Sequence, residues 1–452
     1  MDTGITKSTS ADASKAQHLC VLVHGLWGNP HHLDYVRKSL EERHGEDELV
    51  VYSAKRNVGS LTYDGIEIGA ERVAKEIEDV MDRLRQEGHT INKFSIVGYS
   101  LGGLVARYVV GLLFHAGFFD KVTPINFTTF VTPHLGVRTP LLGYHNNLWN
   151  VLGARTLSTS GRQLFTIDDF RNTGRPLLSV LADPDSIFIH GLRLFRHRSL
   201  YTNVVNDRSA VYYTTGISAF DPYTDLEAVN LRYLKGYESV ILDPDMPVER
   251  APPKQDLPTF YDRVRGGSRT FVRRAPIVIA LSLLIPVAIT VFMINSGWQT
   301  FRSRRRIQLH ESDSDGSFGG YRIPYLVREM RVGLEDAFET VNSSRQQEYL
   351  PEGSEELAIA PPSPKLTRSD TKDSVLSEKS EATTRADFPT LALTTDQFSM
   401  IKALDSVGWR KYPVHIQKST HSHAAIIVRS ARAAFEEGKT VVKHWLTEEF
   451  EV

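Results

Sequence analysis

Cysteine is almost absent: Cys20 is the only one in 452 residues. A single thiol excludes an intramolecular disulfide and a cysteine-built zinc site, and suits a reducing compartment. Cys20 lies in an apolar, strand-like run and reads as a small buried hydrophobe. A surplus of charge is also missing. The formal net charge is −1, with a pI near 7.0, which argues against nucleic acid as a partner. The first 17 residues are polar and carry no hydrophobic run, so no secretory signal is read and the soluble part is expected to face the cytosol. Apolar residues make up 41% of the chain, enough for a large core.

What the sequence does have is concentrated around Lys93–Arg107. Phe94–Val97 reads as a buried strand, and a helix is expected just after Ser100. Between them stands Gly98-Tyr99-Ser100-Leu101-Gly102, a G-x-S-x-G. That pattern suits a nucleophilic serine on a sharp strand-to-helix turn, where side chains at the flanking glycines would collide with neighbouring elements. The helix N-terminus behind it offers free N–H groups to a developing oxyanion. The plain alternative is a tight turn with an exposed serine.

Upstream, Leu19–Val23 reads as a strand running into His24-Gly25-Leu26-Trp27-Gly28. In serine hydrolases with a parallel sheet such a loop donates a backbone N–H to the oxyanion hole. Leu26 and Leu101 are the expected donors, with His24 and Gly25 as supporting residues. Strand patterns at Leu49–Tyr52 and Pro124–Val131 alternate with helical ones at His32–Arg43 and Gly65–Glu87. The charges of the last segment read as a solvated face. This β-α-β alternation implies an α/β fold with a mostly parallel sheet and helices on both faces.

Thr132-Pro-His134-Leu-Gly136 falls where active-site loops gather. His134 is either a supporting group near substrate or a structural histidine. Leu141–Leu194, within a cap region of about 137–195, is irregular and apolar; Leu141, Leu142, Leu148, Trp149, Leu152, Phe165, Leu177 and Leu178 are open to two readings, an acyl pocket or plain core. A strand at Leu200–Val205 leads into Asn206-Asp207. An acid after a late strand is where a triad needs its orienter, so Asp207 is preferred over Asp183, Asp185 and Asp221.

Beyond Pro244 the composition changes. Residues 275–294 carry no charge over a length that matches a bilayer span. Pro286 lies just past the middle, and basic residues flank both ends, so no orientation follows from charge. Residues 311–387 are polar and expected to be disordered. Order returns at 388–452, with a capped helix at Thr395–Leu404, a strand at Trp409–Ile416 and a terminal helix over Ala431–Glu449. His423 follows that last strand and is the expected base, with His421 and His415 as competitors. His421 and His423 form a His-x-His pair, but no further ligand cluster accompanies it, so neither a metal nor a cofactor is expected.

Ser100 and Asp207 precede the uncharged run and His423 follows it. A single span would put the base across the bilayer from the nucleophile. A hairpin bent at Pro286, or a segment lying in the plane, keeps them together, and arms of about 15 Å would suit one leaflet or a droplet monolayer.

His24-Gly-Leu-Trp-Gly28, Gly98-Tyr-Ser-Leu-Gly-Gly103, Thr132-Pro-His-Leu-Gly136, Asn206-Asp207 and His423-Ala-Ala-Ile-Ile427 together resemble the serine esterase family of fungal lipases. That family includes a yeast lipid-droplet phospholipase and related monoacylglycerol lipases. The resemblance covers residues 18–222 and 388–430. It implies an α/β-hydrolase fold; with the composition changes above, the core is expected over 18–244, completed by 388–452, with a membrane-associated segment at 245–310. It also implies a lipid-ester substrate, most simply a glycerophospholipid with monoacylglycerol as the alternative, at a lipid droplet or endoplasmic-reticulum membrane. Its nucleophile maps onto Ser100, its acid onto Asp207 and its base onto His423. A membrane-tethered scaffold without activity is the alternative of another class, and protein partners are unspecified.

Overall fold

In the computed structural model, the described residues are 15–137, 158–207, 209–251, 298, 300–309 and 388–452. Six parallel strands form the central sheet: β1 (His18–Val23), β2 (Leu49–Ser53), β3 (Lys93–Tyr99), β4 (Thr123–Phe130), β5 (His197–Asn203) and β8 (Arg410–Val414). Their order across the sheet is β2-β1-β3-β4-β5-β8. A small antiparallel pair, β6 (Val229–Leu231) and β7 (Val248–Arg250), stands apart from it.

The helices are α1 (Asp34–Arg43), α2 (Ile66–Gln86), α3 (Leu101–His115), α4 (Ser158–Leu164), α5 (Leu177–Leu181), α6 (Ile187–Arg193), α7 (Tyr212–Thr215), α8 (Thr395–Asp405), α9 (Ser422–Ala425) and α10 (Glu436–His444). Strand β1 shows how they cover the sheet. All six of its residues are buried, yet they serve two cores. Leu19, Val21 and Val23 pack with α2, α3 and α6, while Cys20 and Leu22 pack with α1 and α10. Side chains on a strand alternate faces, so a continuous apolar run is what a sheet buried on both sides requires. Each fully buried Val or Leu contributes roughly 1.5–3 kcal/mol relative to an exposed one. Parallel strands in this order, with helices on both faces, make this an α/β-hydrolase fold.

The last segment completes that sheet rather than forming a separate body. β8 pairs with β5 from Ser199↔Arg410 to Asn203↔Val414. Helix α8 opens with a capping box in which Thr394 and Gln397 each satisfy the other's backbone N–H. The terminal stretch is not one helix. A 3₁₀ turn at Ala433–Phe435 precedes α10, and Trp445–Glu449 widens into a π turn. The widening accompanies the complete burial of Trp445, whose indole N–H donates to Thr128 Oγ1 at 3.0 Å.

Two expectations meet a correction in the packing. Phe165, Leu177 and Leu178 are core residues rather than pocket lining. The acidic face of α2 is not all solvated: Glu76 is buried, accepting from the Tyr52 hydroxyl at 2.6 Å and the Lys55 N–H at 2.8 Å. The other proposed pocket residues, the uncharged run 275–294 and the whole insert 311–387 lie outside the described residues. Among the described residues no helix is long and apolar enough to cross a membrane.

Candidate active site

Ser100 stands between β3 and α3 with φ 55° and ψ −127°, a region that residues with a side chain rarely occupy. Its N–H donates to the Phe130 carbonyl at 2.9 Å, which holds the turn to β4. The flanking glycines are steric requirements. A Cβ on Gly98 would run into the Gly103 backbone, and one on Gly102 would run into the Val23 and His24 carbonyls. Gly103 is a third requirement that the motif does not announce, because a Cβ there would overlap the Thr132 side chain. Helix α3 therefore packs against the sheet closely enough to lift the Ser100 hydroxyl above the strand ends.

The sheet register brings two distant loops to that hydroxyl. Tyr99 lies beside Phe130, Phe130 beside Tyr201, and Asn203 beside Val414. The loops leaving β3, β5 and β8 thus open on one edge. His423 Nε2 is 3.0 Å from Ser100 Oγ, and His423 Nδ1 is 2.8 Å from Asp207 Oδ2. A carboxylate only accepts, so Nδ1 carries the hydrogen; in the neutral ring Nε2 is then the acceptor for the serine proton.

Asp207 is fixed at both oxygens. Oδ1 accepts from the N–H groups of Ser209 (3.0 Å) and Ala210 (2.9 Å), and Oδ2 also accepts from Asn203 Nδ2 (3.1 Å). Its side chain is 2% exposed and that of His423 16%, so the imidazole keeps the more open side. His423 is itself anchored: its carbonyl accepts from the Tyr99 hydroxyl at 3.0 Å, and the neighbouring Ser422 hydroxyl donates to the Val205 carbonyl at 2.9 Å.

The loop after β1 presses against the same point. Gly28 N–H donates to the Gly25 carbonyl at 3.0 Å, closing a turn around Leu26 and Trp27. Trp27 sits at φ 53°. Two bonds hold it there, from its N–H to Thr62 Oγ1 (3.1 Å) and from its indole N–H to the Tyr63 hydroxyl (2.7 Å). Its ring remains 53% exposed. Leu101 opens α3, where an N–H takes no intrahelical bond. His24 is buried and donates from Nδ1 to the Gly25 carbonyl at 3.1 Å. Burial lowers its pKa, so the ring is neutral and shapes the turn.

Other candidates lie elsewhere. His134 is fully buried, 3.1 Å from Thr129 Oγ1, and burial pushes its pKa well down; it is a structural residue under the site. His421 is exposed at the start of α9. His415 is 2.8 Å from the Tyr233 hydroxyl. Asp183 pairs with Arg175, Asp185 is exposed, and Asp221 is half-buried with a carboxyl raised to about 6 by desolvation. Among the described residues no group of three metal-ligating side chains occurs.

The sequence that builds this strained turn, the loop leaning on it and the histidine between serine and aspartate has relatives among known proteins. The family model described as putative serine esterase (DUF676) matches residues 13–220. Through these residues the chain is similar to that family. The esterase segment is 32% identical over 219 residues to Putative lipase ROG1 of Saccharomyces cerevisiae, spanning 47% of this chain and 30% of that one. It is 30% identical over 201 residues to Putative lipase C4A8.10 of Schizosaccharomyces pombe, spanning 43% and 25%. The chain thus covers less than a third of the length of these relatives. A lipase-esterase related protein from Clostridium acetobutylicum overlaps 45% of this chain and 80% of its own at 13% identity and a TM-score of 0.24. The esterase segment holds Ser100 and Asp207, while His423 lies beyond it and joins through β8.

Proposed function

We propose that this protein is a serine acyl hydrolase of lipid esters, acting on glycerophospholipids at a membrane or lipid-droplet surface. The observation that carries the reading is the hydrogen-bonded line from Ser100 through His423 to Asp207, with spacings of 3.0 and 2.8 Å. As Ser100 Oγ attacks the acyl carbonyl, its proton passes to His423 Nε2. Asp207 holds the imidazolium that results. The carbonyl oxygen gains negative charge, and the N–H groups of Leu26 and Leu101 stabilise it. The ester C–O bond then breaks, and His423 hands its proton to the departing alcohol. Water enters, gives a proton to His423 and attacks the acyl-serine; the fatty acid leaves and Ser100 recovers its hydrogen.

The surface part of the reading is supported by how the stretch around residues 275–294 is tethered. Before it, the Ala251 N–H donates to the Ala228 carbonyl at 2.9 Å. After it, Ser303 and Arg306 bond to Asp64 of the hydrolase unit. Both ends return to one folded body, as a hairpin or an in-plane segment requires.

The test is fatty-acid release by the purified full chain from vesicles holding phospholipid and monoacylglycerol, with Ser100→Ala alongside. Release by the native chain alone supports the reading, and the lysolipid or glycerol left behind names the substrate. No release by a folded, vesicle-bound native chain overturns it in favour of a tethering scaffold.

A further inference from the structure

Residues 300–309 form a helix that starts six residues after the uncharged run ends, with Trp298 helical just before it. Its two faces differ in kind. The inner face presents Ser303, fully buried, and Arg306, 21% exposed at its side chain. Both reach Asp64, whose side chain is completely buried. Ser303 Oγ donates to Asp64 Oδ1 at 2.7 Å, and Arg306 donates through Nη2 to Oδ1 at 2.7 Å and through Nε to Oδ2 at 3.0 Å. Arg72 of α2 donates to the same carboxylate at 2.8 Å. A buried carboxylate held by two guanidinium groups is a rigid joint, because removing either partner leaves a charge poorly compensated in a low dielectric.

The outer face is exposed. Trp298 is 60% exposed and Phe301 and Leu309 are each 62% exposed. Trp298, Phe301, Arg305 and Leu309 follow one another at helical spacing. Arg302, Arg304 and Arg305 are exposed beside the aromatics. Aromatic rings with arginines, on a helix that follows a membrane-length run, make up the composition that settles at the boundary between headgroups and acyl chains. The positive charge selects a negative surface.

The joint also leads to the site. Asp64 ends the Gly59–Tyr63 turn, and Arg306 Nη2 donates to the Ser60 carbonyl of that turn at 3.0 Å. Thr62 and Tyr63 are the two residues that hold Trp27 in its left-handed conformation beside Leu26.

We propose that residues 300–309, with Trp298 just before them, are an interfacial helix whose outward aromatic and arginine stripe binds an anionic phospholipid surface, while Asp64 locks its inner face to the turn that supports Trp27 and the Leu26 N–H. The surface that holds the helix would thereby also hold the mouth of the site. The inference rests on the lipid-surface reading given above, and its test does not depend on catalysis.

Cys20 is fully buried and is the chain's single cysteine, so Phe301→Cys in the full chain can carry a bimane probe alone. The labelled protein is reconstituted in phosphatidylcholine vesicles with and without 30 mol% phosphatidylserine, each containing spin-labelled lipid. The expected result is at least twofold stronger quenching with phosphatidylserine, reduced to the neutral-vesicle level in the R302Q/R304Q/R305Q background. A probe that stays unquenched in anionic vesicles, or is quenched equally in both, overturns the proposal. Arg306→Gln tests the joint. It should lower turnover of vesicle lipid at least tenfold while cleavage of a soluble short-chain ester stays within twofold. Equal loss on both substrates, or no loss on either, overturns the coupling. If the native chain releases no fatty acid from any lipid, the enzymatic reading fails by itself and the quenching result still stands or falls independently.

Discussion

Gly25 and Ser100 meet with no room for a methyl group between them: a Cβ on Gly25 would lie 2.8 Å from Ser100 Cβ and 3.3 Å from its Oγ. The loop that carries Leu26 can approach the reacting carbonyl only because residue 25 has no side chain. Gly25→Ala should therefore push the loop off the serine while leaving the buried strands intact. We expect kcat to fall about 10²–10³-fold, the loss typical of one oxyanion donor, with vesicle binding unchanged. Steady-state kinetics with a flotation assay checks it, and a loss below threefold would remove Leu26 from the site.

Asp207→Asn tests the orienting role. The amide can donate to His423 Nδ1 and so favours the tautomer with the hydrogen on Nε2, which cannot accept the serine proton. A drop in kcat of about 10³–10⁴-fold is expected. Circular dichroism should show a native-like fold, since Asn can still accept the Ser209 and Ala210 N–H groups. Activity above a tenth of native would point to another acid.

Thr62→Val removes the acceptor of the Trp27 N–H and keeps the shape of the side chain. A buried donor left without a partner costs about 1–3 kcal/mol, and Trp27 can relax out of its left-handed conformation. The expected outcome is a kcat roughly tenfold lower on soluble ester, by the cost of about 1.4 kcal/mol per tenfold, with KM within twofold. A change confined to KM would contradict the link between this turn and the oxyanion loop.

Acid should weaken the fold at His444. Its ring is buried among Tyr201, Tyr237 and Tyr412, and desolvation depresses its pKa to about 4. The unfolded ring titrates near 6.5. Between those values the unfolded chain binds more protons, so the stability present above pH 6.5 is lost as pH falls toward 4. His18, depressed to about 3 chiefly by burial, adds to the loss in the same window. The urea midpoint of the native chain should fall between pH 7 and pH 5, and less so in His444→Gln. Parallel titration of the two proteins would exclude His444 as a contributor.

Much of this fold is legible in the sequence where one local pattern decides the outcome. β1 and β3 are continuous apolar runs, and such runs have little choice but a doubly covered sheet. Gly98 and Gly102 announce the turn because the required absence of a side chain is itself a residue type. The histidines are harder. His423 is preferred over its neighbour His421 only by its place directly before the apolar helix start, and the docking of β8 beside β5 is what brings that segment to Asp207. Buried charge is hardest of all. Glu76 and Asp64 look like solvated acids beside basic neighbours; what buries them comes from β2 and from residues past 300. The helical period at the C-terminus suggests one helix, but it carries no sign that Trp445 must reach Thr128 across the sheet.

The pairing of β5 with β8 also sets an order in time. A ribosome that has just added Asp207 must add 216 further residues before His423 exists. At about 5–20 residues per second this takes roughly 10–40 s. During that interval the nucleophile and its orienting acid are already made, and the uncharged run has been synthesised, but the proposed proton acceptor has not. On the proposed reading, a nascent chain meets its lipid surface before it can cut the lipid, and the late synthesis of β8 and the segment after it delays the reaction.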